Sequence, residues 1–171
     1  LHGGYADRLV EAGKPENIEL MGQGIEYIRE QGLSAGLGSH SIYVPIRCSE
    51  AGVEPDYYFK TFHHDQYWSA TPKEHRKPFC VDSERHLDHN EFHDNIFCIE
   101  PERTAEFMAN KKQPWIAFKV LAAGAIKPTS GFKYCFENGV DFVAVGMFDF
   151  NVRQDVAIVR QILARKLERE R

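Results

Sequence analysis

The feature that most constrains the fold of this chain is a regular alternation of strand patterns with amphipathic helix patterns. Four strand patterns occur, at 33–40, 56–63, 115–126 and 141–150. The last two are continuous apolar runs, which are typical of parallel strands covered on both faces. The alternation therefore predicts an α/β fold with a parallel sheet. The predicted helices lie at 15–31, 42–51, 101–112, 132–138 and from Asn151 onward.

Two architectures fit this alternation, an open doubly wound sheet and a closed (β/α)8 TIM barrel. The pattern at the end of the chain favours the barrel. Because such a barrel takes about 250 residues, we interpret the 171 residues as its C-terminal part, one domain of about four β/α units. Residues 1–4 resemble the end of a strand, so we expect the N-terminal strands to be missing from this sequence.

The last helix shows the clearest local signals. Asn151 precedes it and Gln154 stands at capping-box spacing, which predicts a helix start at that point. Apolar residues then recur on one predicted face, which we expect to lie against the core: Val152, Val156, Val159 and Leu163.

Residues 64–95 interrupt the alternation and are interpreted as a long loop insertion. The stretch is polar, contains Pro72 and Pro78, and holds five of the eight histidines of the chain. Loops of this length are usually lids or disordered segments. Within it, the three histidines 86, 89 and 93 would share one face of a helix and bind a metal ion, or belong to a solvated loop.

Charge and cysteine usage limit the function classes. Lys and Arg number 21 against 25 Asp and Glu, so no basic surface for nucleic acid is indicated. No apolar run reaches the roughly 20 residues of a membrane helix. The four cysteines form no CxxC pair and are interpreted as reduced, although one disulfide stays possible. We expect a small-molecule substrate, and homo-oligomers are an open alternative. The sequence does not determine the cellular compartment, although it weakly favours the cytoplasm.

Polar residues stand where several predicted strands end. His2, His40 and His63 end the early strand patterns, and Asp149 ends the last one. In a barrel these ends converge on one face, where active sites lie. Three imidazoles and a carboxylate suit a divalent metal ion such as zinc or manganese, an arrangement similar to that of sugar isomerase barrels of the xylose isomerase type. The alternative is that single histidines only cap strand ends.

Two glycine-bearing strand ends resemble the phosphate-binding half of aldolase-type TIM barrels. The first is Ala122-Ala123-Gly124-Ala125-Ile126 and the second is Val143-Ala144-Val145-Gly146-Met147. This resemblance implies a phosphate site formed by Gly124, Ala125, Ile126, Gly146 and Met147. Ala125 departs from the pattern, since the family usually has a second glycine there. The alternative is that these small residues only permit close packing.

A second resemblance concerns the segment Asp56-Tyr57-Tyr58-Phe59-Lys60-Thr61, which is similar to the Schiff-base strand of deoxyribose-phosphate aldolases. It implies that Lys60 is the nucleophile and that Lys119, on the next strand, lowers its pKa. His63 and Asp149 complete the candidate catalytic set. The family's Ser-Thr-Gly-Phe continuation is absent, and Lys119 lies two residues further from its glycine than the family pattern has it.

The runs KTFH, PWIAFKVLAAGAI and VGMFDF also resemble a group of bacterial TIM-barrel proteins, a likeness that implies the fold and no activity. Together these features predict an enzyme for a small sugar-like or phosphorylated carbonyl compound. It acts either as an aldolase-type lyase through Lys60 or as a metal-dependent isomerase or lyase through the strand-end histidines and Asp149. A non-catalytic ligand-binding or assembly module is the third alternative.

Overall fold

The computed structural model describes residues 1–79 and 98–165. The α-helices of this part are α1 (Gly3–Glu11), α2 (Pro15–Glu30), α3 (Tyr43–Glu50), α4 (Pro101–Ala109), α5 (Pro128–Glu137) and α6 (Val152–Leu163). The strands are β1 (Gly36–Ser39), β2 (Tyr57–Thr61), β3 (Trp115–Phe118) and β4 (Phe142–Ala144). The predicted α/β class is therefore confirmed.

The four strands form one parallel sheet in the order β1-β2-β3-β4. Each strand thus pairs with the next one along the chain, and α3, α4 and α5 lie in the three connections. In the register, Ser39 pairs with Lys60 and Lys60 pairs with Ala117. All carboxyl ends therefore point to the same edge of the sheet, as expected for parallel strands joined by helices.

The two faces of the sheet have different surroundings, and we call them the helix face and the open face. Side chains alternate between them because successive residues of a strand point to opposite sides. The helix face packs into a single buried cluster that also contains residues of every helix from α1 to α6. From the sheet, this cluster includes Leu37, Tyr58, Trp115 and Ala117. The open face carries side chains that remain partly exposed: Tyr57, Phe59, Ile116 and Phe118.

Two aspartates at the amino ends of strands accept hydrogen bonds from backbone N–H groups at the start of a neighbouring strand. Asp56 accepts a hydrogen bond from the backbone N–H of Ala35 at 2.6 Å, and Arg29 of α2 donates to the same carboxylate. Asp141 similarly accepts from the backbone N–H of Trp115 at 2.8 Å. Since backbone groups at strand ends need partners, these aspartates stabilise the edge opposite the carboxyl ends.

The expected strand at residues 1–4 needs correction, because Gly3 already begins helix α1. Only Leu1 is strand-like. Its amino group donates to the carbonyl of Gly36, and its carbonyl accepts from the N–H of Gly38. The first residue therefore extends the sheet beside β1, and the chain then turns into a helix.

Three further elements differ from the expected bounds by four residues or more. Strand β3 ends at Phe118, well before residue 126, because Lys119 turns the chain with a φ of 57°. Strand β4 is likewise limited to 142–144. Helix α5 begins at Pro128, four residues earlier than predicted, since a proline suits the first turn of a helix.

The buried face of α6 also differs from the expectation. The sequence correctly predicts the helix, but Asn151 makes no side-chain capping bond at its start. Of the four predicted core residues, only Val159 packs partly against the core cluster. The buried positions of this helix are Asp155 and Ile162. Its other apolar residues are each more than 40% exposed, namely Val152, Val156 and Leu163.

The structure describes the insertion only in part. Residues 64–79 are described and include a short 3-10 turn at Lys73–His75. The histidines 86, 89 and 93 lie outside the described residues. Among the described cysteines, Cys48, Cys98 and Cys135 are buried free thiols. None of the helices in the described part has the length and apolar content that crossing a bilayer requires.

Candidate functional site

A pocket of about 290 Å³ lies on the open face of the sheet. It runs along β1, past Gly36 and Gly38 to His40, and residues 1–3 close one side. The lack of a side chain at Gly36 makes room for a neighbouring ring, since a Cβ there would stand 2.3 Å from a ring carbon of Tyr57. The glycines of β1 therefore form the floor of the pocket.

Aromatic side chains form the opposite wall of this pocket. Tyr57 and Phe59 of β2 and Phe118 of β3 all line it. The rings of Phe59 and Phe118 stack with centroids 4.7 Å apart and planes 19° from parallel. This stacking holds the wall in one arrangement, because offset-stacked rings attract each other beyond the gain from burial.

His40 and Asp7 form a hydrogen-bonded pair at the carboxyl end of β1. Asp7 comes from α1 and is fully buried. Its carboxylate accepts from the ring Nδ1 of His40 at 2.8 Å, from the backbone N–H of His40 at 2.9 Å and from the backbone N–H of Ser41 at 2.9 Å. Because an ionised carboxylate only accepts hydrogen bonds, this pairing assigns the ring proton to Nδ1.

That assignment determines what the imidazole can do. Nε2 is on the side of the ring away from Asp7, and in the neutral ring it carries the lone pair. The ring also packs edge-on against Phe118, with centroids 5.3 Å apart. A histidine held in one tautomer by a buried carboxylate, at the wall of a pocket, is the arrangement of an oriented general base.

Lys60 lies on the helix face of β2 and is not among the residues that line the pocket. Its side chain is fully buried, and Nζ donates to the backbone carbonyl of His40 at 2.5 Å and to that of Thr61 at 2.7 Å. Burial lowers the pKa of Lys60. The amine therefore touches the backbone behind His40, and the structure does not bring it to the open face.

Lys119 stands in a different environment from Lys60. It is exposed and follows β3 with a φ of 57°. The turn continues with positive φ at Ala122, Ala123 and Gly124. Positive φ is uncommon for residues other than glycine, and such conformations cluster at functional sites. Lys60 is therefore buried, whereas Lys119 is exposed to solvent.

The first group of predicted phosphate-binding residues lies in the loop after β3. The N–H groups of Gly124 and Ile126 both donate to the carbonyl of Leu121. That of Ala125 donates to the carbonyl of Ala122. These three N–H groups are thus used inside the turn itself.

The second group of predicted phosphate-binding residues lies in the loop after β4. Gly146 and Met147 are exposed there. Among residues 1–79 and 98–165, apart from the glycine itself and its two chain neighbours, no atom lies within 4 Å of a Cβ added at Gly146. Close packing therefore does not explain this glycine, and the loop is open to solvent.

The four candidate metal ligands do not all lie in one place. His2 lines the pocket together with His40. Asp149 is exposed, and its carboxylate accepts from the backbone N–H of the next residue. His63 is fully buried. Across residues 1–79 and 98–165, no three metal-ligating side chains come together.

His63 nevertheless has an unusual environment. Its Nδ1 contacts the carbonyl of His64 at 2.8 Å, which assigns the ring proton to Nδ1. Burial lowers the pKa of His63 to about 4, so the ring is neutral at pH 7. In the described part of the chain, no partner for its buried Nε2 is present.

The sequence patterns do not predict helix α1, and therefore they do not indicate Asp7 as a site residue. The local signal is a carboxylate among Ala6, Leu9 and Val10, the apolar residues with which α1 packs on the core. A charged residue on the buried side of a helix needs a partner. Only the fold shows that this partner is His40.

Comparisons of this chain with known protein families, curated proteins and solved structures find no match.

Proposed function

We propose that this chain is part of a TIM-barrel enzyme that acts on a small sugar-like carbonyl compound, with His40 as general base. The observation that carries the proposal is the Asp7–His40 pair at the wall of the open-face pocket. The barrel part of the proposal is supported by the sequential parallel strand order. In a doubly wound sheet the order reverses at a switch point.

The chemistry follows from the tautomer of His40. Nε2 takes the proton from the carbon next to the substrate carbonyl, and the imidazolium that forms keeps its Nδ1–H bonded to the Asp7 carboxylate. Delivery of that proton to the former carbonyl carbon, while the hydroxyl proton of the adjacent carbon passes to the former carbonyl oxygen, gives an isomerase. Alternatively, the enolate re-forms the carbonyl and a double bond to the next carbon, expelling a leaving group that takes its bonding electron pair and the proton of the imidazolium, and this gives a lyase. The negative charge of Asp7 stabilises the imidazolium in either case.

The pocket suits a compound with one polar edge and one apolar face. Phe59, Phe118 and Tyr57 offer aromatic surface, while His2 and His40 offer ring nitrogens. The volume of about 290 Å³ lies just below the roughly 300–1,000 Å³ common for ligand pockets, so the pocket favours a small compound. A small sugar or its phosphate ester meets both conditions.

The other mechanisms remain alternatives with defined tests. Imine formation would require the amine of Lys60 to leave the two carbonyls that it contacts. A metal-dependent reaction would require His2, His40, His63 and Asp149 to share an ion. A non-catalytic module would bind ligands in the pocket and turn none of them over.

The test is deuterium exchange at carbon. The protein is incubated in D2O with a panel of small aldoses, ketoses and their phosphates, and NMR follows deuterium incorporation next to the carbonyl. We expect exchange by the wild-type chain and a loss of about 10²–10⁴-fold in His40→Asn. The surface variant Lys133→Met on α5 is the control, because its side chain is half exposed and contacts Glu137.

Parallel samples separate the mechanisms. A borohydride-reduced adduct on Lys60 would replace the proposal with imine chemistry, and abolition of exchange by a chelator would replace it with metal chemistry. Exchange that persists in a folded His40→Asn variant would refute the role of His40. Ligand binding without exchange across the panel would favour the non-catalytic module.

A further inference from the structure

We propose that Lys60 is a positioning residue for His40: its amine holds the backbone carbonyl of His40 and so keeps the imidazole against Asp7. The catalytic meaning of this role rests on the proposed function. The geometric claim does not, because it concerns hydrogen bonds that exist without substrate. It assigns to Lys60 a task different from that of an imine-forming nucleophile.

The contacts of Lys60 join two strand ends. Nζ donates to the carbonyl of His40 at 2.5 Å and to the carbonyl of Thr61 at 2.7 Å. His40 follows β1 directly, and Thr61 is the last residue of β2. A single side chain therefore bonds to the carboxyl ends of two neighbouring strands, at the edge of the sheet where His40 lies.

His40 is thus held from two sides by buried ionisable groups. Asp7 accepts from its backbone N–H and from its ring Nδ1, while Lys60 donates to its carbonyl. Both Asp7 and Lys60 are no more than 1% exposed. Lysine is almost never fully buried unless it is paired. The hydrogen bonds to His40 therefore explain why both Asp7 and Lys60 are buried at this position.

The same contacts disfavour the alternative role. A nucleophilic lysine must present a lone pair to the substrate. Here the amine is directed at two backbone carbonyls, and the residues that line the pocket in the described part of the chain do not include Lys60. Burial lowers the pKa of Lys60, which favours the neutral amine, so it is the direction of the amine and not its pKa that argues against the nucleophilic role.

The test observes His40 directly. In the wild-type chain, the Nδ1 proton shared with the Asp7 carboxylate should give a low-field proton NMR signal, and Asp7→Asn should remove it. We expect Lys60→Met to remove or displace that signal and to lower kcat in the exchange assay about 10–100-fold, with a smaller change in KM. Ile162→Ala on α6 is a control for general destabilisation, since Ile162 is 9% exposed and lies in the core cluster.

The outcomes distinguish the two proposals. A wild-type signal that is unchanged in folded Lys60→Met overturns the positioning role, whatever the activity. If Lys60→Met loses the signal and the wild-type chain shows no exchange activity, the positioning role is supported and the proposed function is refuted. If Lys60→Met does not fold, the scalar coupling between Nζ and the carbonyl carbon of His40 is measured in the wild-type chain. A resolved Nζ signal without that coupling overturns the inference.

Discussion

At the scale of single residues, this protein buries ionisable side chains next to backbone carbonyls. Lys60 contacts the carbonyls of His40 and Thr61, and His63 contacts that of His64. Lys60 and His63 are each no more than 1% exposed. Because burial disfavours the charged form, it lowers the pKa of both side chains. The stability of the fold should therefore depend on pH.

His63 gives this dependence a direction. Its pKa falls from an ordinary 6.5 to about 4 in the folded chain, so between these values the unfolded state binds a proton that the folded state does not. Above pH 6.5 the ring is neutral in both the folded and the unfolded chain, so protonation of His63 does not reduce the free energy of unfolding there. As the pH falls from 6.5 towards 4, protonation of His63 in the unfolded chain lowers the free energy of unfolding by up to roughly 3 kcal/mol.

Urea unfolding at a series of pH values checks this prediction. His63→Gln should flatten the decline in unfolding free energy between pH 6.5 and 4, whereas the core variant Ile162→Ala, which removes no ionisable group, should lower the unfolding free energy and leave its slope against pH as it is in the wild type. An equal slope in His63→Gln and the wild type would show that another group causes the loss.

At the scale of secondary-structure elements, the pocket depends on how closely β2 approaches β1. Gly36 and Tyr57 are paired in the register, and the ring of Tyr57 lies over the glycine. A Cβ at Gly36 would meet ring atoms at 2.3 and 2.4 Å, so the ring would have to move. The width of the pocket is therefore set by a contact between two strands.

We predict that Gly36→Ala displaces Tyr57 from the pocket wall and destabilises the chain by about 1 kcal/mol, since the end of a partly exposed ring can give way. Gly146→Ala is the matched control, because a Cβ there meets no atom of a more distant residue within 4 Å in the part of the chain that the structure describes; its effect should stay within about 0.5 kcal/mol. Urea denaturation and the NMR shifts of the Tyr57 ring give the two readouts. Unchanged Tyr57 shifts in Gly36→Ala would contradict the close contact.

At the scale of the whole molecule, one core cluster joins the sheet to all six helices of the described part. Phe62 lies within it and packs against Trp115 at 4.8 Å and Tyr134 at 5.1 Å between ring centroids. These three aromatic residues come from the regions of β2, β3 and α5. A shared core of this kind favours a single cooperative unfolding transition.

That cooperativity can be measured with one tryptophan. Trp68 is 87% exposed and Trp115 is fully buried, so Trp68→Phe leaves a reporter of the core. We expect its fluorescence and the far-ultraviolet circular dichroism to change at the same urea concentration. Adding Phe62→Ala should lower the free energy of unfolding by about 3–5 kcal/mol in both signals. Separate midpoints for the two signals would mean that the core unfolds in parts.

Local patterns were sufficient to predict most elements. Prolines at the starts of α2 and α4 and apolar runs at β3 and β4 act through neighbouring residues, so they are readable along the chain. Strand ends were less predictable. The apolar run after Trp115 continues to Ile126, but the backbone turns at Lys119, and hydrophobicity does not encode that turn.

Sequence alone determined the alternation of strands and helices, and hence the α/β class and the position of His40 at a strand end. The tertiary structure decided which face each side chain meets. It placed Lys60 behind His40, paired His40 with Asp7 from an unpredicted helix, and turned Val152 and Val156 of α6 away from the core. These outcomes depend on contacts between segments far apart in the chain, and periodicity within one segment carries no information about them.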